Sequence, residues 1–223
     1  MPQRKHNGLH YELVKTQEQA LEAWQLVYKS YRRIGIIAEK PETYYHTPQA
    51  ITNPTATICG RIGELCVSTI SGYLDTKKHG LPLDSIYNSE LNKLRQQDKN
   101  LIEVGMFADR RTEITRSMHA LLDLIRYATY FGVTQNHPNA VIGVHPHHAP
   151  FYARGMGFNI IGPEKTYGSL QKAPVLLMHF DWNQAIQSES PRRGVRHCLD
   201  NPITAEWYTD RYQPSEKTLN QAA

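Results

Sequence analysis

Cysteine is scarce in this chain, three in 223 residues, and Cys59, Cys66 and Cys198 form no C-x-x-C pair, so no zinc site is expected from them. Cys59 and Cys66 fall in strand-like runs and read as buried thiols of a cytoplasmic protein. Long apolar runs are missing too. No uncharged stretch approaches the roughly 18 residues that a membrane span requires, which excludes an integral membrane segment. The N-terminus, MPQRKHNGLHYELVK, has basic residues but no hydrophobic segment behind them, so it is not a secretory signal. Charge of one sign is nearly balanced by the other, 25 Lys and Arg against 21 Asp and Glu. An excess of +4 excludes bulk nucleic-acid binding and leaves room for a basic patch facing an acidic partner. Repeats and low-complexity segments are absent.

What is present is a modest apolar fraction of 40%, with thirteen tyrosines, enough for one domain of ordinary size. Leu9, Tyr11 and Leu13 alternate with His10 and Glu12, the period of a half-buried strand. Thr16 followed by Gln19 forms a capping box, so a helix is expected there. Ala20, Trp24, Val27, Tyr28 and Tyr31 would line its buried face, and Gly35 would mark its end. Residues 39–54 carry Pro41, Pro48, Pro54 and the adjacent Tyr44 and Tyr45. They predict a long loop, of the kind that is often functional, across the mouth of a substrate pocket. Residues 56–62 and 64–74 predict a hairpin turned at Gly63. Leu83, Ile86, Tyr87, Leu91 and Leu94 make a helical stripe that is irregular near Asn88.

Residues 101–108, LIEVGMFA, predict a central strand, apolar on both faces except at Glu103. After a polar turn over 109–116, a helix is predicted over 117–131, buried through Met118, Leu121, Leu122, Ile125 and Ala128 and stopped by Gly132. A last strand is expected over 174–181, and beyond Asn183 the chain reads as polar and irregular. The expected organisation is one α/β (α+β) domain over 1–183, a mixed central sheet flanked by helices, with a polar C-terminal tail over 184–223.

The densest pattern is AVIGVHPHHAPFYARGMGF, residues 140–158. An apolar run suited to a buried strand breaks at His145-Pro146, because a residue before proline is pushed out of the helical region. A short helix over about 146–156 follows, with Gly155 and Gly157 placed to end it, and Phe158 opens a new apolar stretch. Three further stretches accompany it: GLPLDSIYNSELNKLR (80–95), LIEVGMFADRRT (101–112) and APVLLMHFD (173–181). In this order and spacing the four resemble the N-acyl amino acid synthases, bacterial acyltransferases of the GNAT (acyl-CoA N-acyltransferase) fold related in architecture to the acyl-homoserine-lactone synthases. The resemblance runs over nearly all of residues 11–181.

That resemblance implies an enzyme that joins a fatty acyl group to the α-amine of an amino acid, long-chain N-acyl tyrosine being the best-known product class. It implies acyl carrier protein as partner, its acyl-phosphopantetheine arm as donor, and no permanently bound cofactor. One departure matters. Where relatives usually show Glu-x-Ser-Arg in the central strand, this chain has Glu103-Val104-Gly105-Met106, which leaves the acceptor and its placement at Gly105 and Met106 open.

Amide formation from a thioester needs a neutral amine, correct placement and help for the oxyanion. An α-ammonium has a pKa of about 8, so a carboxylate beside the donor is a natural proton acceptor. Glu103 is the candidate base, because partial burial among apolar neighbours would raise its pKa; a glutamate paired with arginine or facing water is the plainer alternative. Gly105 suits close backbone approach to the donor. By resemblance to the wider superfamily, Tyr152 stands near the thioester sulfur as a proton donor, with packing the alternative. His145 is expected in the pocket, with His147 and His148 at the surface. No metal is expected on these histidines, since no carboxylate or cysteine completes a set locally.

Acetyl-CoA-using members of the fold cradle a pyrophosphate in a glycine-rich loop. Residues 110–117, RRTEITRS, contain no glycine. Arg110, Arg111, Thr112 and Arg116 instead suit one phosphate of a phosphopantetheine arm and the acidic face of a carrier, with Lys77, Lys78, Arg192, Arg193 and Arg196 read either as extensions of that patch or as ordinary surface charge. Phe107, Leu121 and Ile125 are expected to wall the acyl slot. The alternatives are an acetyl-CoA-dependent N-acetyltransferase and a non-catalytic acyl binder of the same fold.

Overall fold

Thr16 caps the first helix as its spacing predicts. Its hydroxyl accepts the Gln19 N–H at 3.3 Å while the Gln19 side chain reaches back to the Thr16 N–H, and α1 runs Gln17–Arg33. The structure, a computed structural model, describes residues 8–110, 118–167 and 173–214. Arg111, Thr112 and Arg116 lie outside the described residues.

The described strands are β1 Leu9–Leu13, β2 Thr55–Ile62, β3 Leu65–Leu74, β4 Leu101–Asp109, β5 Asn139–Val144, β6 Asn159–Ile160, β7 Lys165–Tyr167 and β8 Ala173–Asp181. They form one sheet in the order β1-β2-β3-β4-β5-β8-β6, with β7 also on β8. Every pair is antiparallel except β4 with β5. The β2–β3 hairpin turns at Gly63 with φ +57°, a left-handed position that glycine takes at no steric cost.

Two helical layers cover the sheet. On one face α1 and α3 (Asp84–Arg95) bury Trp24, Val27, Tyr73, Leu83, Leu91, Leu101 and Met106. On the other, α4 (Met118–Thr134) packs over Ile58, Ile70, Ile102 and Ile142. The irregularity expected in α3 falls at Tyr87, whose φ −122° and ψ 28° are not helical and whose buried hydroxyl donates to the Val175 carbonyl at 2.7 Å. The loop expected over 39–54 holds one short helix, α2 (Gln49–Thr52). The helix expected after His145 divides into a 3-10 turn, Pro146–His148, and α5, Ala149–Gly155.

Two expectations are corrected. Gly132 does not end α4, which continues to Thr134. A Cβ there would lie 2.7 Å from the His137 carbonyl oxygen and 2.8 Å from Ile102 Cγ2, so this glycine serves close packing against β4. The stretch after residue 183 is not irregular: α6 (Trp182–Ile186), α7 (Arg193–Asp200) and a turn at Ala205–Tyr208 follow β8. Val195, Cys198, Ile203 and Tyr208 are buried in the α4-side core, and the Tyr208 hydroxyl donates to the Tyr127 carbonyl at 2.7 Å. Few apolar residues spread among many charged ones hide that helical face from composition.

Candidate active site

β4 carries the site through two irregularities. It pairs with β5 only through Leu101, Ile102 and Glu103, opposite Asn139, Ala140 and Val141. Beyond Glu103 the ladder stops although both strands continue, so the sheet opens between them. On its other edge, Ser71 faces Gly105 and Thr69 faces Ala108, which sets Met106 and Phe107 against Ile70 alone. That is a β-bulge. Met106 takes φ +54° in it, a left-handed conformation worth about 1–2 kcal/mol of strain in an L-residue. The bulge sends Met106 into the α1-side core and Phe107 to the α4 side.

A cleft of about 980 Å³ fills this opening and reaches both faces of the sheet. Phe107, Ala120, Leu121, Leu124, Phe151 and Tyr152 wall the α4 side, while Tyr31, Tyr45, Thr47, Tyr73, Leu83 and Tyr167 wall the α1 side. Ile125 packs in the core behind α4 and does not line the cleft. The tyrosine-bearing loop reaches the cleft through Tyr45 and Thr47, as expected of it.

Glu103 is 7% exposed. Its Oε2 accepts the Leu83 N–H at 2.8 Å, and Oε1 faces the space over Gly105, where an added Cβ would be 3.9 Å away. Burial pushes its pKa up to about 8, with Asp84 and Asp75 adding to the rise and the Leu83 N–H opposing it. The turn that supplies this N–H is itself braced. Asp84 Oδ2 accepts the Leu81 N–H at 2.7 Å, and Arg95 bridges Asp84 and Asp75 at 2.6 and 2.7 Å. The 80–95 stretch therefore orients the carboxyl group.

Tyr152 lines the cleft from α5, with burial raising its phenol to about 12. Its ring meets Phe151 and Phe158 edge-on. His145, His147 and His148 all line the cleft on its exposed side, and His145 Nδ1 accepts the His147 N–H at 3.2 Å. Arg110 does not line the cleft; its Nε donates to the Cys66 carbonyl at 2.8 Å, at the start of β3. Lys77 and Lys78 sit beyond the opposite end of β3 and cannot extend a patch at Arg110, because the nine residues of β4 separate the two ends by roughly 27 Å at strand rise. Arg192 lies beside Gly157, after α5. Among the described residues, no group of three or more His, Cys, Asp or Glu is placed to hold a metal, and no helix is long and apolar enough to cross a membrane.

Reading the sequence missed Leu83, Tyr73 and Thr47 as site residues. The first acts through its backbone and leaves no side-chain signal. The other two reach the site only once the loop and β3 are placed.

The sequence model of the family described as N-acyl amino acid synthase FeeM matches residues 22–181. No curated protein sequence matches the chain. Among solved structures, FeeM, an N-acyl amino acid synthase from uncultured soil microbes, superposes with a TM-score of 0.66 at 27% identity, covering 78% of this chain and 91% of that one. The CoA-dependent acyl-homoserine lactone synthase BjaI gives 0.62 at 13% identity, over 96% of this chain and 99% of its own. A putative N-acetyltransferase from Lactobacillus plantarum gives 0.53 at 11% identity, over 78% and 99%. At such identities these last two speak for the fold alone.

Proposed function

The chain belongs to the N-acyl amino acid synthase FeeM family and is an N-acyltransferase of GNAT fold, and from that premise we propose that it transfers a medium- or long-chain acyl group from acyl carrier protein to the α-amine of an amino acid, with tyrosine the first candidate. The observation that carries this proposal is Glu103, a buried carboxyl with a pKa near 8 at the point where β4 and β5 part.

Proton affinity at Glu103 then matches that of an α-ammonium, at about 8, so proton transfer between them is close to thermoneutral. The neutral amine attacks the thioester carbonyl, the C–N bond forms, and the carbonyl electron pair moves onto oxygen. Collapse of that intermediate breaks the C–S bond and expels the pantetheine thiolate. The ammonium gives up two protons in all. Glu103 accepts them in turn; one leaves to solvent and one reaches the leaving sulfur, where Tyr152 in the same cleft is the candidate donor. Burial raises the Tyr152 phenol to about 12, so it gives its proton to the sulfur only as it receives another, acting as a relay rather than as a free acid.

Cleft size supports a long acyl group over acetyl. About 980 Å³ lies at the top of the roughly 300–1,000 Å³ of small-molecule sites, and Phe107, Leu121, Leu124 and Phe151 offer apolar walls. The carrier side rests on Arg111, Thr112 and Arg116, whose roles are expectations from the sequence.

Mass spectrometry of lipid extracts from a bacterial host expressing the chain tests the proposal, followed by purified protein supplied with acyl carrier protein thioesters, acyl-CoA or acetyl-CoA. New N-acyl amino acids, formed faster from the carrier thioester, support it. Acetylated amines alone would favour the acetyl-CoA alternative, and no new amide would overturn both.

A further inference from the structure

Two hydroxyls on the α1 side of the cleft are buried without a hydrogen bond inside the protein: Tyr73 Oη and Thr47 Oγ1. A buried hydroxyl left unpaired costs about 1–3 kcal/mol; a third in the lining, Ser68 Oγ, lies at the far end of β4 opposite Asp109, whereas these two stand together and point to a ligand that completes them. Tyr73 is 1% exposed and stands directly across the β3–β4 ladder from Glu103, so the two side chains leave the same face of the sheet from Cβ atoms about 5 Å apart. Its hydroxyl lies close to those of Thr47 and Ser71 without reaching hydrogen-bond geometry with either, and Ser71 Oγ is engaged by Thr57 Oγ1 at 2.9 Å. Tyr167, the neighbouring phenol, already donates to the Pro82 carbonyl at 3.2 Å.

Arg95, the cation nearest the Glu103 turn, is held by Asp75 and Asp84 and does not line the cleft. Among the described lining residues fixed positive charge is carried by Arg33, which donates to the Asp109 carbonyl at 3.4 Å, at the opposite end of β4 from Glu103. Met106, two residues beyond Val104 on the same strand, is an uncharged side chain buried in the α1-side core.

We propose that Tyr73 and Thr47 form the subsite for the acceptor's α-carboxylate, their hydroxyls donating to its oxygens while its α-ammonium lies at Glu103. An α-amino acid holds both groups on one carbon, and the base and the two hydroxyls line the same side of one cleft. A carboxylate accepts without donating, which satisfies both hydroxyls at once, and it is selected over the corresponding decarboxylated amine because that amine leaves them unpaired. This inference rests on the acyltransferase proposal and assigns recognition of its acceptor's carboxylate to two neutral hydroxyls.

The test uses purified full-length protein with whichever thioester it accepts, and a panel of amino acids each paired with its decarboxylated amine, such as tyrosine with tyramine and leucine with isopentylamine. The readout is the ratio of kcat/KM within each pair, for the wild type, Tyr73→Phe and Thr47→Val, with thermal melts as a folding check. The wild type should favour the amino acid, and each variant should cut that preference about tenfold or more, chiefly through KM for the amino acid. Ratios unchanged in both variants, or a wild type indifferent to the carboxylate, would overturn the subsite while leaving acyl transfer standing. Failure to acylate any amine from any donor would overturn the acyltransferase proposal and this inference together.

Discussion

Replacing Glu103 by Gln should stabilise the protein at neutral pH while removing its activity. The carboxyl's ordinary value is 4.5, and burial raises it to about 8 in the fold. Below about 4.5 it is protonated in both the folded and unfolded chain, and its titration contributes nothing. As pH rises from 4.5 towards 8, the unfolded chain ionises while the folded one keeps its proton, so stability falls through that window and levels off above it. At 1.36 kcal/mol per pH unit the loss is about 3 kcal/mol at pH 7 and about 5 kcal/mol at pH 9. Gln cannot ionise, and its carbonyl oxygen can still accept the Leu83 N–H that Glu103 Oε2 accepts. For a chain of this size about 2–4 °C accompanies each kcal/mol, so the variant should melt roughly 6–12 °C above wild type at pH 7. Melting curves from pH 4 to pH 9 provide the assay. The two proteins should coincide near pH 4 and diverge upward. A constant offset across that range, or a variant less stable at pH 8, would refute the burial argument.

Arg95→Met leaves Asp75 and Asp84 unpaired at the base of the turn that donates to Glu103. It should lower stability by about 1–3 kcal/mol, measured by denaturant titration. Because those two carboxylates already push the Glu103 pKa up, the acid limb of the pH–rate profile should also move to higher pH. Gly132→Ala gains about 1 kcal/mol of helix propensity but places a methyl 2.7 Å from the His137 carbonyl; overpacking of about 1–3 kcal/mol should win, giving a lower Tm. Gly105→Ser has room, its Cβ meeting only Glu103 Oε1 at 3.9 Å. A hydroxyl there favours the ionised carboxylate, so the acid limb should move down by about half to one pH unit with the melting temperature little changed.

Local chemistry was legible wherever one side chain decides one bond. The Thr16 capping box, the Gly63 turn and the break at His145-Pro146 all stand where short-range rules put them. Glu103 was visible because an acid in an otherwise apolar strand demands a reason. Gly132 misled because a helix-ending glycine and a close-packing glycine look alike until Ile102 is set beside it. The two short helices after β8 were hidden for a related reason: Val195 and Cys198 become a buried face only when α4 is there to receive them. Tyr73 and Thr47 come from a strand end and a loop that meet only in three dimensions. The Leu83 contact belongs to the backbone and has no spelling in the sequence.

The most direct test of the central claim is the pH dependence of amide formation, followed in single turnovers from a carrier-bound thioester with wild-type protein and with Glu103→Gln. Wild type should show an acid limb centred near pH 8, the value to which burial raises Glu103. The variant should be slower by about a hundredfold to ten-thousandfold and should lose that limb. Equal rates, with the same limb in both proteins, would contradict Glu103 as the base.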